Sequence, residues 1–191
     1  MILPGSAQND GKQIRAVFDD KTIRVYQAFP PVIANEAVLG GTFGEHFSLS
    51  RMTWIKPSFL WMMYRCGWAE KSGQERVLAI DIKRAGFNFA VKNAVPSTLK
   101  ESGMAEQIWR DALKKSDIRV QWDPERDVEG RPLEFRSLQL GLRGNAVREY
   151  VKNQIVNISD ITDYVKELNN KRKSGEDISQ LLPLEKIYVI D

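Results

Sequence analysis

The stretch Arg51-Met52-Thr53-Trp54-Ile55-Lys56-Pro57-Ser58-Phe59-Leu60-Trp61-Met62-Met63-Tyr64-Arg65-Cys66-Gly67-Trp68 constrains the chain most, because it holds three of the five tryptophans at a spacing of seven residues. Pro57 suits the first position of a helix, where a missing N–H is no loss, and Gly67 suits the left-handed residue that ends one. A helix of about ten residues between them is apolar nearly all round, and such a helix has to be buried. Phe59, Leu60, Met62 and Met63 therefore read as core. Trp54, Lys56, Tyr64 and Arg65 differ, since polar or amphipathic tips on a buried element need partners and a ligand can supply one.

The rest of the chain supplies what packs around that helix. Residues 14–18 and 22–29 carry β-branched and aromatic side chains and read as a hairpin or one bent strand. Pro30-Pro31 and Gly40-Gly41 bracket a short helix over 32–39. Residues 74–82 alternate as a strand and lead into a helix over 84–93, and 104–115 repeats apolar residues at helical spacing. Residues 118–122 read as a strand closed by an acidic and arginine-rich loop reaching Pro132, and 135–142 is the clearest strand, placing Arg136 and Leu138 on one face and Ser137 and Gln139 on the other. A helix over 145–153, a short extended run 155–158, a helix capped by Asp160 and an edge strand over 186–190 complete the order. Hairpins mixed with helices, with no regular βαβ alternation, predict an α+β fold: one domain over 13–191 with a mixed, mainly antiparallel sheet and several short helices. Residues 1–12, beginning in a polar run rich in Gly, Ser, Asn and Asp, read as a flexible lead-in.

Composition narrows the function. With 191 residues, 42% hydrophobic and 28% charged, the chain is globular in character, which excludes disorder, a collagen repeat and a disulfide scaffold. A lone Cys66 closes no intrachain disulfide and favours a reducing cytoplasm. Cys66 and His46 are the only soft ligands, too few for a structural zinc, so no metal is expected. No apolar run nears the ~18 residues of a membrane span, so no membrane partner is expected. The net charge of +3 is concentrated in 51–150, which holds 18 basic and 13 acidic residues, a bias that suits the phosphates of a nucleotide or nucleic acid. No Walker loop, G-x-G-x-x-G, G-x-S-x-G or H-E-x-x-H pattern is present. Asp123, Glu125 and Asp127, gathered beyond a strand end, form the densest carboxylate group, and a magnesium-assisted phosphodiester hydrolase built on them is one reading.

Residues 23–29, 51–65, 120–127 and 136–142 together resemble the family catalogued as domain of unknown function 4291, over about 14–165; that resemblance implies no particular activity. A second resemblance is to the opening of the ADP-ribosyltransferase fold: Val25-Tyr26-Gln27-Ala28-Phe29, a short helix, then Gly41-Thr42-Phe43. In those enzymes a first-strand residue holds NAD, aromatics of the middle segment pack on nicotinamide, and a late-strand glutamate orients the ribose. Here Tyr26 and Gln27 match the first position, Trp54 or Tyr64 the second, and Gln139 or Gln121 stand where the glutamate belongs. Gln27 replaces the family arginine or histidine, and a glutamine lacks the carboxylate charge that steadies an oxocarbenium ion, which leaves Asp123 or Glu125 as the acid. The resemblance implies an enzyme that binds NAD or a related nucleotide, with Arg24, Lys56 or Arg65 on phosphate and Tyr26, Trp54 and Tyr64 on a ring. The alternative is a non-catalytic RNA- or DNA-binding module using the central basic and aromatic surface.

Overall fold

Four strands of eight or more residues organise the molecule, which the computed structural model describes for residues 11–190. Strands β1 (Arg15–Ala16) and β2 (Thr22–Phe29) precede helix α1 (Pro31–Gly40), strand β3 (Thr53–Ile55) and helix α2 (Phe59–Cys66). Strand β4 (Arg76–Lys83) and helix α3 (Arg84–Asn93) follow, then β5 (Val95–Pro96), α4 (Leu99–Ser102) and α5 (Glu106–Lys115). The hairpin β6 (Ile118–Arg126) and β7 (Pro132–Leu142) leads into α6 (Gly144–Glu149), β8 (Ile155–Asp160), α7 (Thr162–Lys173) and β9 (Lys186–Ile187). Apart from the parallel β5–β6 pair, every strand pairing is antiparallel, and the fold is α+β.

Two sheets have the orders β2-β4-β8 and β3-β7-β6-β5, and a small third sheet joins β1 to β9. A single antiparallel bridge, Tyr26 to Lys56 with the Tyr26 N–H donating to the Lys56 carbonyl at 2.7 Å, ties β2 to the chain just past β3. Ile23, Val25, Ile80, Ile82 and Ile158 of one sheet and Ile55, Ile118, Val120, Leu138 and Leu140 of the other share one core with residues of α1, α3 and α6. A second core, on the opposite face of β2 and β4, packs Tyr26, Val77 and Ala79 against Phe59, Met62 and Met63 of α2 and Val165 and Leu168 of α7.

Several local readings shift for physical reasons. Helix α2 begins one residue after its cap rather than at Pro57: Ser58 is extended and its side chain accepts from the Trp61 N–H at 3.1 Å, while Gly67 closes the helix at a φ of 57° as expected. Strand β6 does not stop at Trp122. β7 begins at Pro132 and offers partners as far as Arg126, so Asp123 and Glu125 lie on a strand instead of a loop, with Pro124 tolerated beside a shift in register. The 14–18 segment splits its pairing: Arg15 and Ala16 join the C-terminal β9, and only Phe18 bridges back to Ile23. Helix α6 widens into a π turn over Tyr150–Gln154. Asp160 ends β8, and its carboxylate accepts from the Thr162 N–H at 2.8 Å. The expected lead-in lies outside the described residues for 1–10, whereas Lys12 bridges Arg136 beside β7.

Candidate functional site

Where β2 and β3 part beyond their one bridge, the backbone leaves a gap, and side chains from five elements border it. The cavity has a volume of about 540 Å³ and is walled by Gln27 and Phe29 of β2, Trp54 and Lys56 at β3, Arg65 of α2, and Gln121 and Gln139 of the β6–β7 hairpin. Thr53, Met62, Arg51 and Gln74 complete the part that bears on chemistry. A second cavity of about 620 Å³ lies between α3 and α6, over the apolar Ile55, Ile82, Ile118 and Leu142. Both linings include charged and amide side chains, but the acids Asp117 and Glu149 share the second with Lys83, whereas the charged residues of the first are Arg51, Lys56 and Arg65 alone, and the first is the candidate site.

Gln27 is buried and its amide is spoken for. Its Nε2 donates to Thr53 Oγ1 at 2.7 Å and to the Trp54 carbonyl at 3.2 Å, and its Oε1 accepts from the Tyr150 hydroxyl at 2.8 Å. Three contacts fix both the amide orientation and the edge of β3 to which Trp54 belongs. The Trp54 ring lies across Gly141: a Cβ there would stand 3.0 Å from ring carbons and 2.7 Å from Met52 Sδ. Glycine at that β7 position is what lets the indole settle on the sheet.

Lys56 is buried at 6% exposure, and its Nζ makes one hydrogen bond, to the Trp54 carbonyl at 3.1 Å. The ammonium sits 5.5 Å from the Trp61 ring centre, with no carboxylate of the described residues in ion-pair range. Burial first, and the Arg65 guanidinium second, pull its pKa down from the ordinary lysine range to about 7. Arg65, in the last turn of α2, is exposed and makes no ion pair or hydrogen bond among the described residues; the same is true of Arg51. Asp123 lies behind this lining. Its two oxygens accept from Gln121 Nε2 at 2.9 Å and Gln139 Nε2 at 2.8 Å, so two cross-strand glutamines hold one carboxylate on the face of β6–β7.

The other sequence-selected residues stand apart from the cavity. Tyr26 points to the second core, edge-on to Phe59 at 5.5 Å, and its hydroxyl is buried without a partner among the described residues; burial pushes that phenol well above its usual range. Arg24 pairs with its cross-strand neighbour Asp81 through two contacts of 2.8 and 3.0 Å. Tyr64 is exposed and covered by the Arg126 guanidinium at 3.9 Å from the ring centre. Glu125 is buried, its pKa is raised by desolvation, and its Oε1 accepts the Arg126 N–H at 2.8 Å. Asp127 is taken up by Arg131 and by the Glu129 N–H within the β6–β7 turn. Asp123, Glu125 and Asp127 thus do not form a cluster of ligand atoms, which speaks against the magnesium-assisted hydrolase offered as one reading of them. The one trio among the described residues whose ligand atoms lie within 4.8 Å is Glu36, Glu45 and His46, on the surface, with His46 and Glu36 already bonded to each other.

Arg51 and Gln74 were not singled out by sequence. Arg51 opens the tryptophan-rich segment and shares its signal; Gln74, in the turn before β4, offers none. Among the described residues no helix is long and apolar enough to cross a membrane. No curated protein matches the chain. The family model for a domain of unknown function, number 4291, matches residues 13–188, from just before β1 to just past β9, and the chain belongs to that family.

Proposed function

We propose that the cavity between β2 and β3 binds a nucleotide, NAD foremost, in an enzyme resembling the ADP-ribosyltransferases. One observation carries this reading: Arg51 and Arg65 line the same cavity with no carboxylate paired to them among the described residues, beside a buried Lys56 and a tryptophan ring. Cations without counter-ions around a polar cavity favour an anion, and guanidinium groups suit phosphate oxygens. Trp54 supplies a flat apolar surface for a base or a nicotinamide. Asp123, held by the lining residues Gln121 and Gln139, is the acid this reading assigns to the positive charge that develops on a ribose carbon as nicotinamide leaves. A lone buried thiol, Cys66, fits a reducing cytoplasm.

Titration of the protein with NAD, followed by tryptophan fluorescence, tests the reading. A saturable change is expected, weakened about tenfold or more by Arg65→Ala, which removes a charge-assisted contact from an exposed position. Trp54→Phe should lose most of the signal. Nicotinamide release would then separate an enzyme from a binder. A flat titration with folded protein would dismiss the nucleotide. The exposed Tyr64 beside Arg65 and Arg126 favours, as the second reading, a non-catalytic RNA- or DNA-binding surface. That surface should bind single-stranded oligonucleotides with an affinity that falls steeply with salt.

A further inference from the structure

Among the ionisable side chains of the cleft, Lys56 stands in the least ordinary surroundings. It is a buried residue in the wall of a polar cavity, its amine hydrogen-bonded once among the described residues, to a backbone carbonyl, with no carboxylate of those residues in ion-pair range. Two features make a lysine nucleophilic: removal from water, and a neighbouring cation that disfavours a second charge. Both are present here, as burial and as Arg65. The other groups acting on Nζ are Asp123 of β6 and Cys66 of α2, and both act weakly in the opposite sense. Arg51 and Arg65, both exposed, line the same cavity and can hold an anionic group whose remainder reaches Lys56.

We infer that Lys56 is a reactive amine that condenses with the carbonyl carbon of an anionic aldehyde or ketone, the anion resting on Arg51 and Arg65. In the reaction Nζ donates its lone pair to the carbonyl carbon and the C=O π electrons pass to oxygen. Both amine protons then leave with that oxygen as water, so one amine and one carbonyl give one imine and one water with no change of oxidation state. The inference rests on reading the cleft as an anion site, and it goes beyond nucleotide binding by assigning covalent chemistry to one residue. Phosphorylated sugars in their open-chain form are the substrate class that combines both required groups.

Pyridoxal 5′-phosphate is a suitable probe, carrying an aldehyde, a flat ring and a phosphate. The full chain is mixed with a limiting amount, reduced with borohydride to fix any imine, digested and mapped by mass spectrometry. The expected result is a label on Lys56 acquired at least about tenfold faster at pH 7 than on the average lysine. Its rate should rise between about pH 6 and 8, where ordinary lysines remain almost fully protonated. Arg65→Ala should slow it several-fold while the surface lysines label as before. Label spread over surface lysines with Lys56 untouched would overturn the inference, as would a Lys56 rate that climbs only above about pH 9. Excess NAD distinguishes the two readings. Labelling that NAD does not slow leaves the reactive lysine standing and removes NAD, whereas saturable NAD binding with Lys56 unlabelled removes the reactive lysine and leaves the nucleotide.

Discussion

At the scale of single residues, Lys56 illustrates a conflict between stability and the proposed function. Its folded pKa of about 7 lies below the ordinary value of 10.5, so between those limits the unfolded chain holds a proton that the folded protein has released. Stability must therefore rise with pH across that window, and below pH 7 the fold carries the full cost of a buried ammonium. Lys56→Met, which keeps the stem and removes the charge, should be more stable than the parent at pH 6 by a few kcal/mol, with the difference shrinking towards pH 10. Urea unfolding at the two pH values measures this. A variant weaker than the parent at both would mean that the ammonium is held by interactions stronger than its one backbone contact. Much of the site at this scale was legible: Gln27, Trp54, Lys56, Arg65, Gln121 and Gln139 were all marked from sequence, and all border the cavity. Tyr26 and Tyr64 were marked on the same grounds and lie elsewhere. Residue type signals that a polar tip needs a partner, but which side of a strand it occupies depends on the whole sheet.

At the scale of elements, β7 depends on Gly141 and β3 depends on β7. Trp54 and Gly141 are cross-strand partners, and the indole occupies the volume a side chain at 141 would fill. Gly141→Ala should force the ring off the sheet and cost about 1–3 kcal/mol, as overpacking in a tight contact does. Because the displaced ring is the proposed base platform, NAD affinity should fall in the same variant, with a shifted tryptophan emission maximum in the free protein. Unchanged emission together with parental stability would show that the ring has room to move. Nothing local in the sequence marks the need for this glycine, because the close approach is made by a residue almost ninety positions away. The helices α1, α2 and α3 and the strands β2, β4 and β7 were readable because their periodicity and their Pro and Gly punctuation are local. The continuation of β6 through Asp123-Pro124-Glu125 was not, since a proline and a run of charges look like a loop until the partner strand is known.

At the scale of the whole molecule, the C-terminal segment closes the fold at a point no local pattern announces. β9 pairs with β1 near the start of the described chain, and the neighbouring Glu185 reaches the first turn of α2, where its Oε1 accepts the Phe59 N–H at 2.7 Å. Burial, with the charge of Glu125 adding to it, raises the Glu185 carboxyl from 4.5 to about 8. The sign is opposite to that of Lys56. Between 4.5 and 8 the folded state keeps a proton that the unfolded chain has lost, so stability falls as pH rises through that range. The Glu185 slope runs down to about pH 8 and the Lys56 slope runs up from about pH 7. Together they place a shallow minimum in stability near pH 7–8, where many proteins are close to their most stable. Glu185→Gln preserves an acceptor for Phe59 while removing the titration, and should flatten the acid side of that minimum and leave the alkaline side in place. Lys56→Met should do the converse, and the double variant should be nearly independent of pH from about 6 to 9, because the two groups sit on different elements and should act additively. Melting temperatures of the four proteins across that range decide the matter: a parent curve that peaks at pH 7–8, or single variants that leave both slopes unchanged, would show that Glu185 and Lys56 do not set the pH response of the fold.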